Sequence, residues 1–408
     1  MTEVDIAIIG GGAAGIAAGR YLAGADVSSV VLEASARLGG RAHTVISHGL
    51  PLDLGCTWLH SADRNPWVEI AALENFKVDR TPPPWGHQAG NRGFTPEEQT
   101  AAREAYWSFL HRLREAPPAS DRAADALIPA EPWNGRLQAL SGYINGVPLD
   151  QVSITDFLNY EDADTGENWR VTSGYGALIQ HSGRHLTVAL ETSVASIDAS
   201  GARLEIVTGA GTLSARAAIV TVSTAILARG SLRLPSELDG WCEAATCLPL
   251  GCAEKIVFAV DTPDAFEADT QVLGCPRSAR SGSYHLRPFG RPVIEAFFGG
   301  EGAQAVATAG EGGVVIALDE LVNLFGSGVR RGLRPVARSS WLNDPLIGGA
   351  YSHALPGCSE ARQVLAMPYE NRIFFAGEAC SREDFSTAHG AYITGAAAAA
   401  AVLEALER

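Results

Sequence analysis

Gly10, Gly12 and Gly15 form a G-x-G-x-x-G run, and Glu33 follows eighteen positions after the last of them. This spacing serves to hold a dinucleotide. Gly10 permits a tight turn, Gly12 lets the backbone approach a pyrophosphate at a helix N-terminus, Gly15 lets helix and strand pack closely, and Glu33 accepts from ribose hydroxyls. The second residue of chemical interest is Lys255, within LPLGCAEKIVFAV at 248–260. With Lys77 it is one of two lysines among the 31 Lys and Arg, so the chain otherwise carries positive charge on arginine. Burial lowers a lysine pKa, whereas an arginine there would stay charged.

These residues need elements to place them. Residues 4–9 are a continuous β-branched run, as in a strand buried on both faces of a parallel sheet. An Ala-rich helical pattern covers 13–22, and a second apolar run at 29–32 ends in Glu33, so the glycines sit between strand and helix. Lys255 lies in a run (254–260) that reads as a strand, with Val257 and Ala259 on its face and Ile256, Phe258 and Val260 on the other. Strands are also expected at 204–207, 217–222 and 293–298, a Gly-rich loop at 299–313 and a helix at 314–326. Residues 76–184 are mixed, with a Pro-rich turn at 82–84 and helices near 96–115 and 136–143. The expected class is α/β.

The length of 408 residues suits two or three domains, and 46% apolar with 19% charged residues is the balance of a soluble globular protein. A net charge of -15 argues against nucleic acid and anionic membranes as partners; it solubilises the surface or draws in cationic small molecules. Seven scattered cysteines in mostly apolar contexts suit reduced thiols and a cytoplasmic location, and none has the neighbours of a metal site. The chain enters VDIAIIGGG without a basic region or cleavage site, so no secretory signal is expected. The Ala-dominated C-terminal run with two Glu reads as a packed helix rather than a membrane span.

Five ordered segments resemble the FAD-dependent amine oxidase family, closer in motif to its polyamine oxidases than to its monoamine oxidases. Glu33-Ala34-Ser35-Ala36-Arg37-Leu38-Gly39-Gly40-Arg41 resembles the family's E-A-x-x-R-x-G-G-R, and Asp53 to His60, with Asn65-Pro66 after it, resembles D-x-G-x-x-W-x-H. The strands at 204–207 and 217–222 look like its second run of β structure, where Val194 matches a position whose backbone meets adenine. Trp341, Asp344-Pro345 and Gly348 to Ser352 resemble W-x-x-D-P-x-x-x-G-x-Y-S, and Phe374 to Glu378 with Thr387 to Ala391 resemble F-A-G-E and T-x-H-G-A.

The resemblance implies an FAD-binding domain at 1–75, 185–240 and 335–408, and a substrate-binding domain at 76–184 and 241–334. Gly39 and Gly40 would bring backbone beside the flavin, Arg41 would pair with phosphate and Glu378 with ribityl or ribose hydroxyls. Ala14, Ala34, Gly55, Thr57, Trp58, Trp341, Gly377, Thr387 and Ala388 are placed at the cofactor by the same likeness. Ala350 stands where covalently flavinylated monoamine oxidases have cysteine, so FAD is expected to be non-covalent.

The implied activity is oxidation of an amine, as hydride passed to flavin N5, giving an imine or aldehyde and, with oxygen as acceptor, hydrogen peroxide. Lys255 matches a lysine that holds a water against N5, Tyr351 matches one wall of an aromatic cage, and His60 matches a residue that meets an amine or a water. Thr387 falls where monoamine oxidases have the opposite tyrosine; Trp58, Phe385 and Tyr392 are the candidates for that wall. His389 is expected behind the flavin contacts. Three alternatives stay open: an L-amino-acid oxidase with an arginine clamp, a flavoprotein desaturase or isomerase, and an FAD-binding module without turnover. A homodimer is also left open.

Overall fold

In the computed structural model, which describes residues 3–407, the strand Glu3–Ile9 runs parallel to Ser29–Leu32 on one side and Gly211–Val220 on the other. Val188–Ala189 and Ile373–Phe375 extend this arrangement in parallel, and Leu204–Thr208 with Val194–Asp198 add an antiparallel edge, making a seven-stranded sheet. The continuous apolar run is explained by its surroundings, since Ile6 and Ile8 enter one core while Ala7 and Ile9 enter another. The first of these cores lies under the helices Ala13–Leu22 and Ala388–Leu406. The two helices touch closely: a Cβ on Gly395 would stand 2.2 Å from the carbonyl oxygen of Ala14. Among the described residues no helix is long and apolar enough to cross a membrane.

A second, five-stranded antiparallel sheet has the order Thr270–Leu273, Ser283–Leu286, Val293–Gly299, Ala253–Val260, Leu333–Arg338. Ile256, Phe258, Tyr284, Ile294 and Phe298 form its apolar face, under the helices Gly300–Ala309 and Gly313–Phe325. On its other face Val257 and Val293 pack on Leu52 and Leu54, beside the hairpin Thr44–Ser47 and Leu50–Asp53. Lys255 is on this second face, directly opposite Phe297 in the neighbouring strand. A third small sheet pairs Trp58–Leu59 with Trp169–Val171, and the latter with Val78–Asp79.

The helices expected near 96–115 and 136–143 are Pro96–Glu115, opened by a Thr95/Glu98 capping box, and Asn134–Asn145. The run at 299–313 departs from expectation. It is not a loop but chiefly the helix Gly300–Ala309, which seats Ala303 and Val306 on the sheet. Its glycines serve proximity: a Cβ on Gly299 would lie 2.1 Å from Gly142 O, and one on Gly302 would lie 2.8 Å from Arg280 O. Packing overrides low helix propensity here.

Candidate active site

The dinucleotide signature folds into a cradle. Gly10 has φ 107°, and a Cβ on Gly15 would meet Gly10 O at 1.9 Å, so only glycine fits there. Gly39 and Gly40, both at positive φ, bring a turn against Gly12, with Gly39 N donating to Gly11 O at 2.8 Å. The helix Ala13–Leu22 starts at Gly12 with no side-chain cap, so its first amides and positive dipole end are left for an anion. Cβ atoms built on Gly12 or Gly377 would meet nothing within 4 Å, and a cavity runs between Arg41, Thr221, Ser223, Gly377 and Glu378. An uncapped helix start facing open space beside an arginine fits a dinucleotide diphosphate.

The other residues expected at the cofactor make contacts within the protein. Glu33, expected to take ribose hydroxyls, accepts from Gly11 N at 2.6 Å and Ser35 N at 2.7 Å, which fixes the glycine turn from beneath. Ala14 is buried against the C-terminal helix, Ala34 is half-buried beside Glu33, and Val194 begins its edge strand. Arg41 gives Nη1 to Glu378 and to Ala350 O, both at 2.7 Å. Glu378 also accepts from Ser352 N, Ser352 Oγ and Ser386 N, so its carboxylate sites are taken by protein donors rather than left for ribityl hydroxyls. Burial works against its ionisation, but the Arg41 charge and the Ser352 bonds outweigh that and hold the carboxyl below its ordinary value. Behind it Arg362 makes a buried bidentate pair with Asp156, at 2.6 and 2.8 Å, and lies 3.8 Å over the Phe385 ring.

The Asp53 to His60 segment holds much of the remaining chemistry. Asp53 accepts from Tyr175 N and Gly176 N, capping the helix Tyr175–Ser182, and a Cβ on Gly55 would stand 1.7 Å from Arg41 O. The Lys255 ammonium donates to Asp53 O at 3.0 Å, to Gly55 O at 2.7 Å and to the Thr57 hydroxyl. Lys255, expected to hold a water against the flavin, thus has its ammonium within hydrogen-bond reach of three protein oxygens. Trp341 Nε1 donates to Leu54 O at 2.9 Å and so braces the same segment. Burial, then Asp53, pushes the Cys56 thiol up to about 12, which keeps it inert.

His60 Nδ1 lies 2.5 Å from Asn168 Oδ1, and Asn168 is oriented by its own donation to Gly166 O at 2.9 Å. Nδ1 is therefore the protonated nitrogen, assigned from this bond, and Nε2 is an acceptor. Burial above all lowers the His60 pKa, opposed by the Asn168 bond. The Trp85 ring stands 4.9 Å from that of Trp58 and 6.1 Å from that of His60, so the Pro-rich loop supplies a wall of the site. Tyr351 donates to Tyr143 O at 2.6 Å, and the Tyr143 ring is 5.8 Å from Phe297, the partner of Lys255 across the sheet.

Of the three aromatics considered for the second wall, Phe385 is buried on Arg362, Tyr392 packs edge-on to Trp67 at 5.0 Å, and Trp58 stands against Trp85. Thr387 caps the C-terminal helix, accepting from Gly390 N, and Ala388 O accepts from Trp67 Nε1. His389 Nε2 is 3.0 Å from Asp384, which Arg64 also grips. Asn168, Trp85, Tyr143 and Phe297 were not singled out by motif. Among the described residues no cluster of side chains could hold a metal ion.

The model of the flavin containing amine oxidoreductase family matches residues 97–403, and that of the NAD(P)-binding Rossmann-like domain matches residues 8–73. Polyamine oxidase 4 of Oryza sativa subsp. japonica is 28% identical, over 97% of this chain and 88% of its own length. Lysine-specific histone demethylase 2 of Homo sapiens is 26% identical, over 96% of this chain and 52% of its own. Among solved structures, wild-type putrescine oxidase bound to putrescine has a TM-score of 0.79 at 19% identity, covering 98% of this chain and 99% of that one. That likeness concerns the α/β fold alone, and the family models make FAD the cofactor.

Proposed function

Because the chain belongs to the flavin-containing amine oxidoreductases, we propose that it oxidises a polyamine or another primary or secondary amine to an imine. Water then converts the imine to an aldehyde, and oxygen leaves as hydrogen peroxide. The C–H bond beside nitrogen breaks, the nitrogen lone pair forms the C=N bond, and two electrons leave with the hydrogen. FAD, held non-covalently by the Gly10–Gly15 turn, Gly39, Gly40 and Arg41, supplies two-electron acceptance and its return to oxygen.

The observation that carries this reading is the neutral His60 imidazole, its Nδ1–H spent on Asn168 and its Nε2 left as an acceptor beside Trp58 and Trp85. An amine reacts through its lone pair, so the site must hold it uncharged. Nε2 accepts one amine N–H, and the burial that lowers the His60 pKa disfavours an ammonium beside it as well. Against an L-amino-acid oxidase stands the state of the arginines around the site. Arg64, Arg170 and Arg362 each commit both terminal nitrogens to protein oxygens, a carboxylate among them, which leaves none of these three forks for a substrate carboxylate. The division into domains at the boundaries given above and the cytoplasmic location belong to the same proposal.

The test is anaerobic mixing of the yellow holoprotein with a panel of amines and their α-carboxylated analogues. Unbranched amines should bleach the flavin, the analogues should not, and air should restore the colour with release of peroxide. A flavin that no amine bleaches would overturn the proposal.

A further inference from the structure

The buried arginines Arg170 and Arg362 are neutralised by protein carboxylates, Arg170 by Asp79 and Asp269, Arg362 by Asp156. Arg136, in the first turn of the helix Asn134–Asn145, is not. Its Nη1 is buried without a hydrogen-bond partner, and the group that bears on its charge is the phenol of Tyr143, whose ring centre lies 6.0 Å from the guanidinium carbon. That phenol donates to Ser281 O at 2.6 Å, and burial pushes it up to about 12, so it stays neutral and offsets no charge. Burial above all lowers the Arg136 pKa, yet the residue keeps accessible surface. A guanidinium that is desolvated and still accessible lines a recess rather than the outer surface. Leaving its charge unmatched there is unfavourable, and its planar fork suits a carboxylate.

The recess adjoins the candidate active site. Tyr143 O accepts from the Tyr351 hydroxyl at 2.6 Å, the Tyr143 ring is 5.8 Å from that of Phe297, and all three residues are partly accessible. Arg136 is not among the charges that act on His60, so the two stand apart. An α-amino acid carries its carboxylate on the carbon that bears nitrogen, too near the amine to reach both. We propose that Arg136 is a specificity-determining residue: its fork takes a carboxylate at the far end of the substrate while His60 Nε2 takes the amine. The inference rests on the oxidase reading and narrows its substrate to an amine with an acidic tail.

Two measurements test it. The first needs no turnover: holoprotein is titrated with straight-chain carboxylates from butyrate to octanoate, and with the matching amides, by following the flavin spectrum. The best carboxylate should bind about tenfold more tightly than its amide, the factor a charge-assisted pair supplies. Arg136→Met should bind the two equally, and Arg136→Lys, with the charge but not the fork, should lie between. Arg136→Met should melt no lower than the parent, because it removes a charge that no protein group offsets. The second is anaerobic reduction by ω-aminocarboxylates and their amides. The acid should show an about tenfold lower Kd at an unchanged limiting rate, and Arg136→Met should abolish that difference. The proposal is overturned if no carboxylate binds more tightly than its amide, or if the preference survives in Arg136→Met. Failure of the oxidase reading would look different, as a flavin that no amine reduces, and the carboxylate titration would still report on Arg136.

Discussion

At the scale of single residues the site depends on which proton sits on which atom. Asn168 decides this for His60, and the pair is reached across 108 positions through the pairing of Trp58–Leu59 with Trp169–Val171. Asn168→Ala should leave the ring free to turn and lower kcat/KM about tenfold, the worth of one buried hydrogen bond. Asn168→Asp keeps the tautomer but adds a negative charge, which raises the His60 pKa. Because the neutral ring is the working form, the acid limb of the kcat/KM profile should move to higher pH; an unmoved limb would show that His60 does not titrate in catalysis. His60, Lys255 and Tyr351 were legible because they sit in short motifs. Asn168, Trp85 and Phe297 were not, because each enters the site through a pairing or ring contact between distant segments that no local spacing encodes.

At the scale of elements, glycine position carried two messages that look alike in sequence. Gly10 to Gly15, between an apolar strand and an Ala-rich helix, were readable as a cofactor turn because their neighbours announce both elements. The glycines at 299–313 read as a loop in sequence, since the reason for Gly299 and Gly300 is the backbone of Asn134–Asn145 and that for Gly302 is Arg280 O, neither of which the local sequence contains. The two kinds should separate by mutation. Gly12→Ala meets no protein atom within 4 Å, so the flavin-free protein should keep its melting temperature while FAD affinity falls at least about tenfold through intrusion on the cradle. Gly142→Ala would place a Cβ 2.8 Å from Gly299 O and should cost about 1–3 kcal/mol of stability whether or not FAD is bound. Calorimetry with and without FAD distinguishes them.

For the whole molecule, buried imidazoles set an acid limit. His353 is 1% exposed, neither ring nitrogen has a hydrogen-bond partner, and burial, aided by Arg362, lowers its pKa to about 4. Its folded pKa lies below the ordinary 6.5, so its contribution is complete above about pH 6.5 and is lost as pH falls towards 4, on the order of 3 kcal/mol in all. Lowered likewise by burial, His60 acts with the same sign. Melting temperature should therefore drop steadily across that window, and His353→Leu should flatten the drop. The seven-stranded sheet draws on residues 3–32, 188–220 and 373–375, and Arg41 finds its carboxylate only at Glu378. A ribosome thus exposes the glycine turn on the order of tens of seconds before the last strand and the helix Ala388–Leu406 emerge. Capture of FAD must follow synthesis rather than accompany it, and a nascent chain stalled before residue 373 would carry the signature of a flavoprotein with no means of keeping a flavin.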